Sequence, residues 1–141
     1  MGSHTKLLNV LTLLAVVVSS AAQSAHRKIN STEVDELLRA AAEAERPGAL
    51  KLHGFGFEPP YHLPDKYYPR FQIYQATWDN PGGSVNAGFY ALDPITLDVW
   101  NGVVCEEIKS PKLVSIQRKI RARIGLSDTE YQRLRVTGPE C

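Results

Sequence analysis

The 141-residue chain carries 16 Lys and Arg against 15 Asp and Glu, a formal charge of +1, with 43% apolar and 22% charged residues. That is the composition of a globular protein rather than a disordered one, and nine prolines and ten glycines without a period exclude collagen-like and low-complexity architectures. Two cysteines are too few for a zinc ribbon, and balanced charge argues against a nucleic-acid binder, whose phosphate affinity needs many uncompensated cations.

Residues 1–24 have the three parts of a secretory signal peptide. Lys6 gives a positive start, residues 7–18 form a 12-residue stretch that is apolar but for Asn9 and Thr12, and small residues follow from Ser19. Ala22 and Ser24 suit cleavage before Ala25; Ser20 and Ala22 suit cleavage before Gln23. A membrane anchor needs about 20 apolar residues, and a span carried on to Ala25 would hold Asn9, Thr12, Ser19, Ser20 and Gln23. Membrane contact is therefore expected only through this segment before cleavage. Residues 25–141 are expected to form one domain, periplasmic or secreted. An even cysteine count in an exported chain predicts a disulfide between Cys105 and Cys141, closing a loop of about 37 residues worth roughly 4 kcal/mol in the chain-entropy model.

Asn30-Ser31-Thr32 is a glycosylation sequon, meaningful only in a eukaryotic secretory route. A first helix is predicted from Thr32, with Thr32 and Asp35 as a short capping box and Val34, Leu37, Leu38 and Ala41 as its apolar stripe. Pro47-Gly48 ends it. Its five acids (33, 35, 36, 43, 45) outweigh Arg39 and Arg46. Residues 53–69 hold four prolines and read as an ordered loop, rich in Phe55, Phe57, Tyr61, Tyr67 and Tyr68, with His53 and His62 among them.

Strands are predicted at 70–78 and 84–92, joined by the turn cluster Asp79-Asn80-Pro81-Gly82-Gly83. Val85, Ala87, Phe89 and Ala91 alternate onto one face of the second. A turn over 93–98 leads to a third strand at 99–108. Ser110-Pro111 opens a helix with the stripe Leu113, Ile116, Ile120 and Ile124, and Gly125 stops it. Ser127 and Glu130 form a capping box for a last short helix bearing Tyr131 and Leu134. Residues 112–135 carry seven bases and two acids; the bland account of that charge is a solvated face or one opposed to the acidic first helix. The fold class is α+β: an antiparallel sheet of three to four strands with an N-terminal helix and C-terminal helices packed on it.

Catalytic motifs are harder to assemble. Glu106 and Glu107 are adjacent, so on a strand they point to opposite faces. Asp93 and Asp98 suit a turn for backbone reasons. His53, His62, Glu58 and Asp65 have metal-ligand chemistry without a metal-site spacing. No catalytic residue, metal or cofactor is assigned. Tyr61, His62, Tyr67, Tyr68 and Trp78 are the candidates for a partner surface, because rigid amphipathic rings bury area at small entropic cost; the competing account has such rings covering one face of the sheet.

The segment from Phe89 to Trp100 resembles the closing hairpin of small exported PepSY-like domains, in which an apolar strand enters an Asp-x-x-Thr-Gly-x-Val turn. Asp93, Thr96 and Val99 match, and Leu97 stands in place of the glycine. The resemblance implies an envelope-located binding or inhibitory module without catalysis. The expected function is accordingly a non-enzymatic, exported binding module, an inhibitor or immunity-type partner of another envelope or secreted protein. The alternative is a small hydrolase or ligand-binding protein with a pocket near His53 and His62. A third reading is an envelope protein held to anionic membranes by the basic helix.

Overall fold

Asn30, two residues before the predicted start, opens the first helix. In the computed structural model, which describes residues 28–60 and 70–139, its Oδ1 accepts from the Glu33 amide at 3.0 Å, while the Glu33 carboxylate accepts from the Asn30 amide at 3.0 Å. This reciprocal pair is the capping box, and it displaces the expected one at Thr32 and Asp35 because Asn reaches the N3 amide from an extended backbone. The helix α1 (Ser31–Glu45) buries Leu37, Leu38, Ala40, Ala41 and Ala42. It lies against the second helix and the last strand, and the alanines permit a close approach.

The sheet is an antiparallel meander of four strands in chain order: β1 (Gly56–Phe57), β2 (Gln72–Asn80), β3 (Gly83–Leu92) and β4 (Val99–Asn101). Strand β1 lies inside the segment read as a loop; its two residues pair with Thr77 and Ala76. Phe55 and Phe57 meet edge to face at 5.4 Å, and Phe57 meets Tyr90 likewise at 5.8 Å. These two rings therefore cover the sheet.

Between β2 and β3 the register slips. Ala76 faces Gly88 but Thr77 faces Asn86, leaving Ala87 as a bulge. The expected single face of Val85, Ala87, Phe89 and Ala91 is thereby broken: Ala87 packs with the helices, whereas Phe89 and Ala91 lie on the opposite face. The core is accordingly double. Tyr74, Ala76, Tyr90, Leu92, Leu97 and Val99 meet the helices on one side. Ile73, Ala91 and Trp100, with Phe71 and Phe89, form a smaller cluster on the other.

The third strand is shorter than the 99–108 expected. After Asn101 the chain turns back on itself: the Asn101 amide donates to Glu106 O at 2.9 Å, the Ile108 amide to Val99 O at 2.8 Å, and Trp100 bridges Glu107. Asn101-Gly102 is a turn dipeptide, and its turn chemistry overrides the apolar run Val103-Val104-Cys105. Helices α2 (Pro111–Ile124) and α3 (Asp128–Leu134) follow, capped by Ser110 and Ser127 as the sequence predicts, and α2 stops at Gly125 with φ 81°. Leu113, Ile116, Ile120 and Ile124 are all buried. The fold is α+β, with an N-terminal helix and two C-terminal helices on a four-stranded antiparallel sheet. Among the described residues no helix is long and apolar enough to cross a membrane.

Candidate functional site

The turn between β3 and β4 carries the densest polar chemistry. Asp93 is fully buried; its carboxylate accepts from the Ile95 amide at 2.9 Å and the Thr96 hydroxyl at 2.8 Å, and pairs with Arg70 Nη2 at 2.7 Å. Arg70 also donates to Leu134 O at 2.7 Å, which ties the start of β2 to the end of α3. Asp98, equally buried, receives Arg121 Nη2 at 2.7 Å and the Tyr131 hydroxyl at 3.0 Å, with Arg135 Nε at 3.7 Å. Arg121 Nε donates to Thr96 O at 2.7 Å, and its guanidinium stacks 3.6 Å from the Tyr131 ring centroid. Gln117 Nε2 donates to Leu97 O at 2.9 Å. Arg135 in turn pairs with Glu107, which Lys109 Nζ meets at 2.9 Å.

Burial pushes the Asp98 carboxyl above the ordinary aspartate value; Arg121, Tyr131 and Thr96 offset this in part and nearby Glu107 adds to it. Burial and the Asp98 charge raise the Tyr131 phenol. For Arg135 burial acts downward, but Glu107, Tyr131 and Asp98 outweigh it and hold its pKa above the usual value. Asp98 thus faces three donors at once and serves as an anchor that docks the turn on α2 and α3.

Above this network opens a polar cleft of about 620 Å³ walled by Glu107, Arg118, Arg121, Asp128, Tyr131 and Arg135. Its chemistry suits charged or hydrogen-bonding groups. A smaller cleft of about 300 Å³, walled by Val34, Leu38, Phe57, Pro59, Pro60 and Tyr74, opens between α1 and β1. The basic face of α2 divides. Arg121 turns inward, Arg123 pairs with Glu33 and donates to Lys28 O at 3.2 Å, and Lys112, Arg118 and Lys119 stay exposed. The opposition of basic α2 to acidic α1 is thus realised at Arg123 and Glu33.

Tyr61, His62, Tyr67 and Tyr68, the main candidates for a partner surface, lie outside the described residues. Trp78 is half-buried on β2, opposite Val85. The His53 side chain is 90% exposed, with Nδ1 3.8 Å from Asp79 Oδ2, and lines neither cleft. Cys105 is half-buried at φ 56°; Cys141, its expected partner, and the signal segment lie outside the described residues. Among the described residues no three His, Cys, Asp or Glu side chains converge as metal ligands.

Sequence reasoning missed the Asp98–Arg121–Tyr131–Arg135 network. One signal was available: Gln117 and Arg121 stand four apart on the margin of the apolar stripe of α2, where a polar side chain is carried toward the interior.

No protein-family model matches the sequence, and neither does any curated protein. A solved structure does: a chain of a type VI secretion system effector–immunity complex from Pseudomonas protegens aligns with a TM-score of 0.57 over 75% of this chain and 85% of that chain, at 17% identity. At that identity the likeness is one of fold.

Proposed function

We propose that this chain is an exported, non-enzymatic immunity-type protein that binds a protein toxin and blocks it. The observation that carries the reading is the fold shared with a chain of an effector–immunity complex, which extends over 85% of that chain. The buried charges agree with it. Arg121, Tyr131 and Arg135 are spent on Asp98 and Glu107, an arrangement that fixes a surface rather than one that moves a proton.

Export through residues 1–24 is part of the reading, and so is a Cys105–Cys141 disulfide, which an oxidising compartment would maintain. In this setting the partner is another exported or envelope protein.

The test is co-expression with the product of the neighbouring gene, directed to the periplasm. Growth should be restored by the full chain, and the two proteins should elute as a stoichiometric complex by light scattering. Continued growth arrest with two separate peaks overturns the reading.

A further inference from the structure

We propose that residues 127–137, helix α3 with the segment behind it, form a strap that lifts from an otherwise intact fold and opens the floor of the polar cleft. The strap is fixed at both ends. Before it, Leu126 is buried and its amide donates to Arg121 O at 2.9 Å. Behind it, Pro139 is buried and Gly138 lies against the Trp100 ring. Between these points the packing is thin. Helix α3 buries no residue, whereas α2 buries six; Tyr131 and Leu134 pack on the core, each only half-buried. The cleft of about 620 Å³ separates the two helices, with Gln117 and Arg118 on one wall and Asp128 and Gln132 on the other.

What holds the strap is mostly polar, and each charged group that it would leave behind has a second partner in the body of the fold. Asp98 loses the Tyr131 hydroxyl and Arg135 but keeps Arg121 Nη2 at 2.7 Å. Glu107 loses Arg135 but keeps Lys109 Nζ at 2.9 Å. Arg70 loses Leu134 O but keeps Asp93 Oδ2 at 2.7 Å. Buried ion pairs are costly to break because one charge is left without a partner. Lifting the strap strands none of these three. On the strap itself, Arg135 and the Tyr131 hydroxyl pass into water. The main cost left is the apolar area of two half-buried side chains, a small part of what the whole fold buries.

Lifting changes what the cleft presents. With the strap down, the Tyr131 ring covers the Arg121 guanidinium at 3.6 Å and its hydroxyl caps Asp98. With the strap up, that floor is an open carboxylate–guanidinium pair. Gln117 and Arg121 still hold Leu97 O and Thr96 O, so the 93–98 turn keeps its place. The device operates whatever the chain binds, and its test needs no partner.

The experiment is native-state hydrogen exchange on the full chain, read residue by residue by NMR. Away from the body a seven-residue helix does not persist, so lifting releases the amides of residues 131–135 together. The two ends of that set are the Tyr131 amide, bonded to Ser127 O, and the Arg135 amide, bonded to Tyr131 O. All should show one common opening equilibrium, about a hundredfold or more in favour of exchange relative to the α2 amides 116–124. Their urea dependence should be slight, because little surface is exposed. Ala41→Gly, which weakens buried α1, should speed the α2 amides about fivefold and leave the α3 amides unchanged. Tyr131→Phe should speed the α3 amides about tenfold. If the α3 amides follow α2 in rate, in urea slope or in their response to Ala41→Gly, the fold opens as one unit and the strap is overturned. A steady gradient along 131–135, the mark of a fraying end, overturns it too, as does indifference of α3 to Tyr131→Phe.

Discussion

Leu97 sets two energies against each other at one position. Its φ of 66° lies in the left-handed region, where a non-glycine residue costs about 1–2 kcal/mol, yet its side chain is fully buried in the helix-side core. Removing a buried leucine side chain costs about 2–5 kcal/mol, so burial outweighs backbone strain. Leu97→Gly is therefore expected to lower stability by about 1–3 kcal/mol in urea unfolding, even though glycine is the residue the backbone would choose. The Asp-x-x-Thr pattern signalled a turn here, and the structure keeps the left-handed residue in it. What the sequence alone did not disclose is that the leucine belongs to the core.

Asp98 presents a parallel case. Its carboxylate compensates Arg121, which is buried, and stripping one partner from a buried ion pair costs about 3–5 kcal/mol. Asp98→Ala should show a loss of that order by chemical denaturation, and Asp98→Ala/Arg121→Met should recover most of it, because the second change removes the stranded charge. Read as a turn-forming aspartate, Asp98 gave no sign of this. Its partners come from residues 23 and 33 positions further on, and such pairings exist only once the helices have docked.

Among the elements, the helices were the most legible, since a stripe at helical spacing with a cap before it is local information. Strand β1 was not, because two residues in a proline-rich stretch become a strand only through pairing with β2. The bulge at Ala87 likewise belongs to a pair of strands rather than to either one. The hairpin at 101–105 was misread for another reason: its valines imitate a strand, and only Asn101-Gly102 marks the reversal.

The α1 cap gives an element-scale test. Asn30→Ala should cost about 1 kcal/mol. Burial pushes the Glu33 pKa up, but the Asn30 amide, Arg123 and Lys119 outweigh it and hold the carboxyl below its ordinary value. A depressed carboxylate stabilises above its unfolded pKa, and that stability is lost as pH falls through the folded pKa. Glu33→Gln should thus be less stable than the natural chain by about 0.5–1 kcal/mol near neutrality, and the two urea midpoints should converge in acid. Asp98 acts in the opposite sense: its raised pKa makes its contribution decline as pH rises from the ordinary aspartate value through the folded one.

At the scale of the whole molecule, the sheet is covered by helices on one face and by much less on the other, so the second core depends on the C-terminal tail. Gly138 lies against Trp100 at φ 121°, and a β-carbon there would sit 2.7 Å from Cζ3 of the ring. Both the conformation and the space require glycine. An indole and a backbone segment cannot both hold their places around an added methyl, so the tail must shift off the ring. Gly138→Ala, made in a Trp78→Phe background to isolate one indole, should red-shift Trp100 emission and cost about 1–3 kcal/mol. The proposed Cys105–Cys141 bridge falls three residues beyond this contact and would hold the tail close even when the glycine contact is lost. The native protein should then titrate without free thiols, and the emission shift of Gly138→Ala should grow on reduction. Two thiols in the native protein, or a shift indifferent to reductant, would mean that Gly138 and its neighbours hold the tail without covalent help.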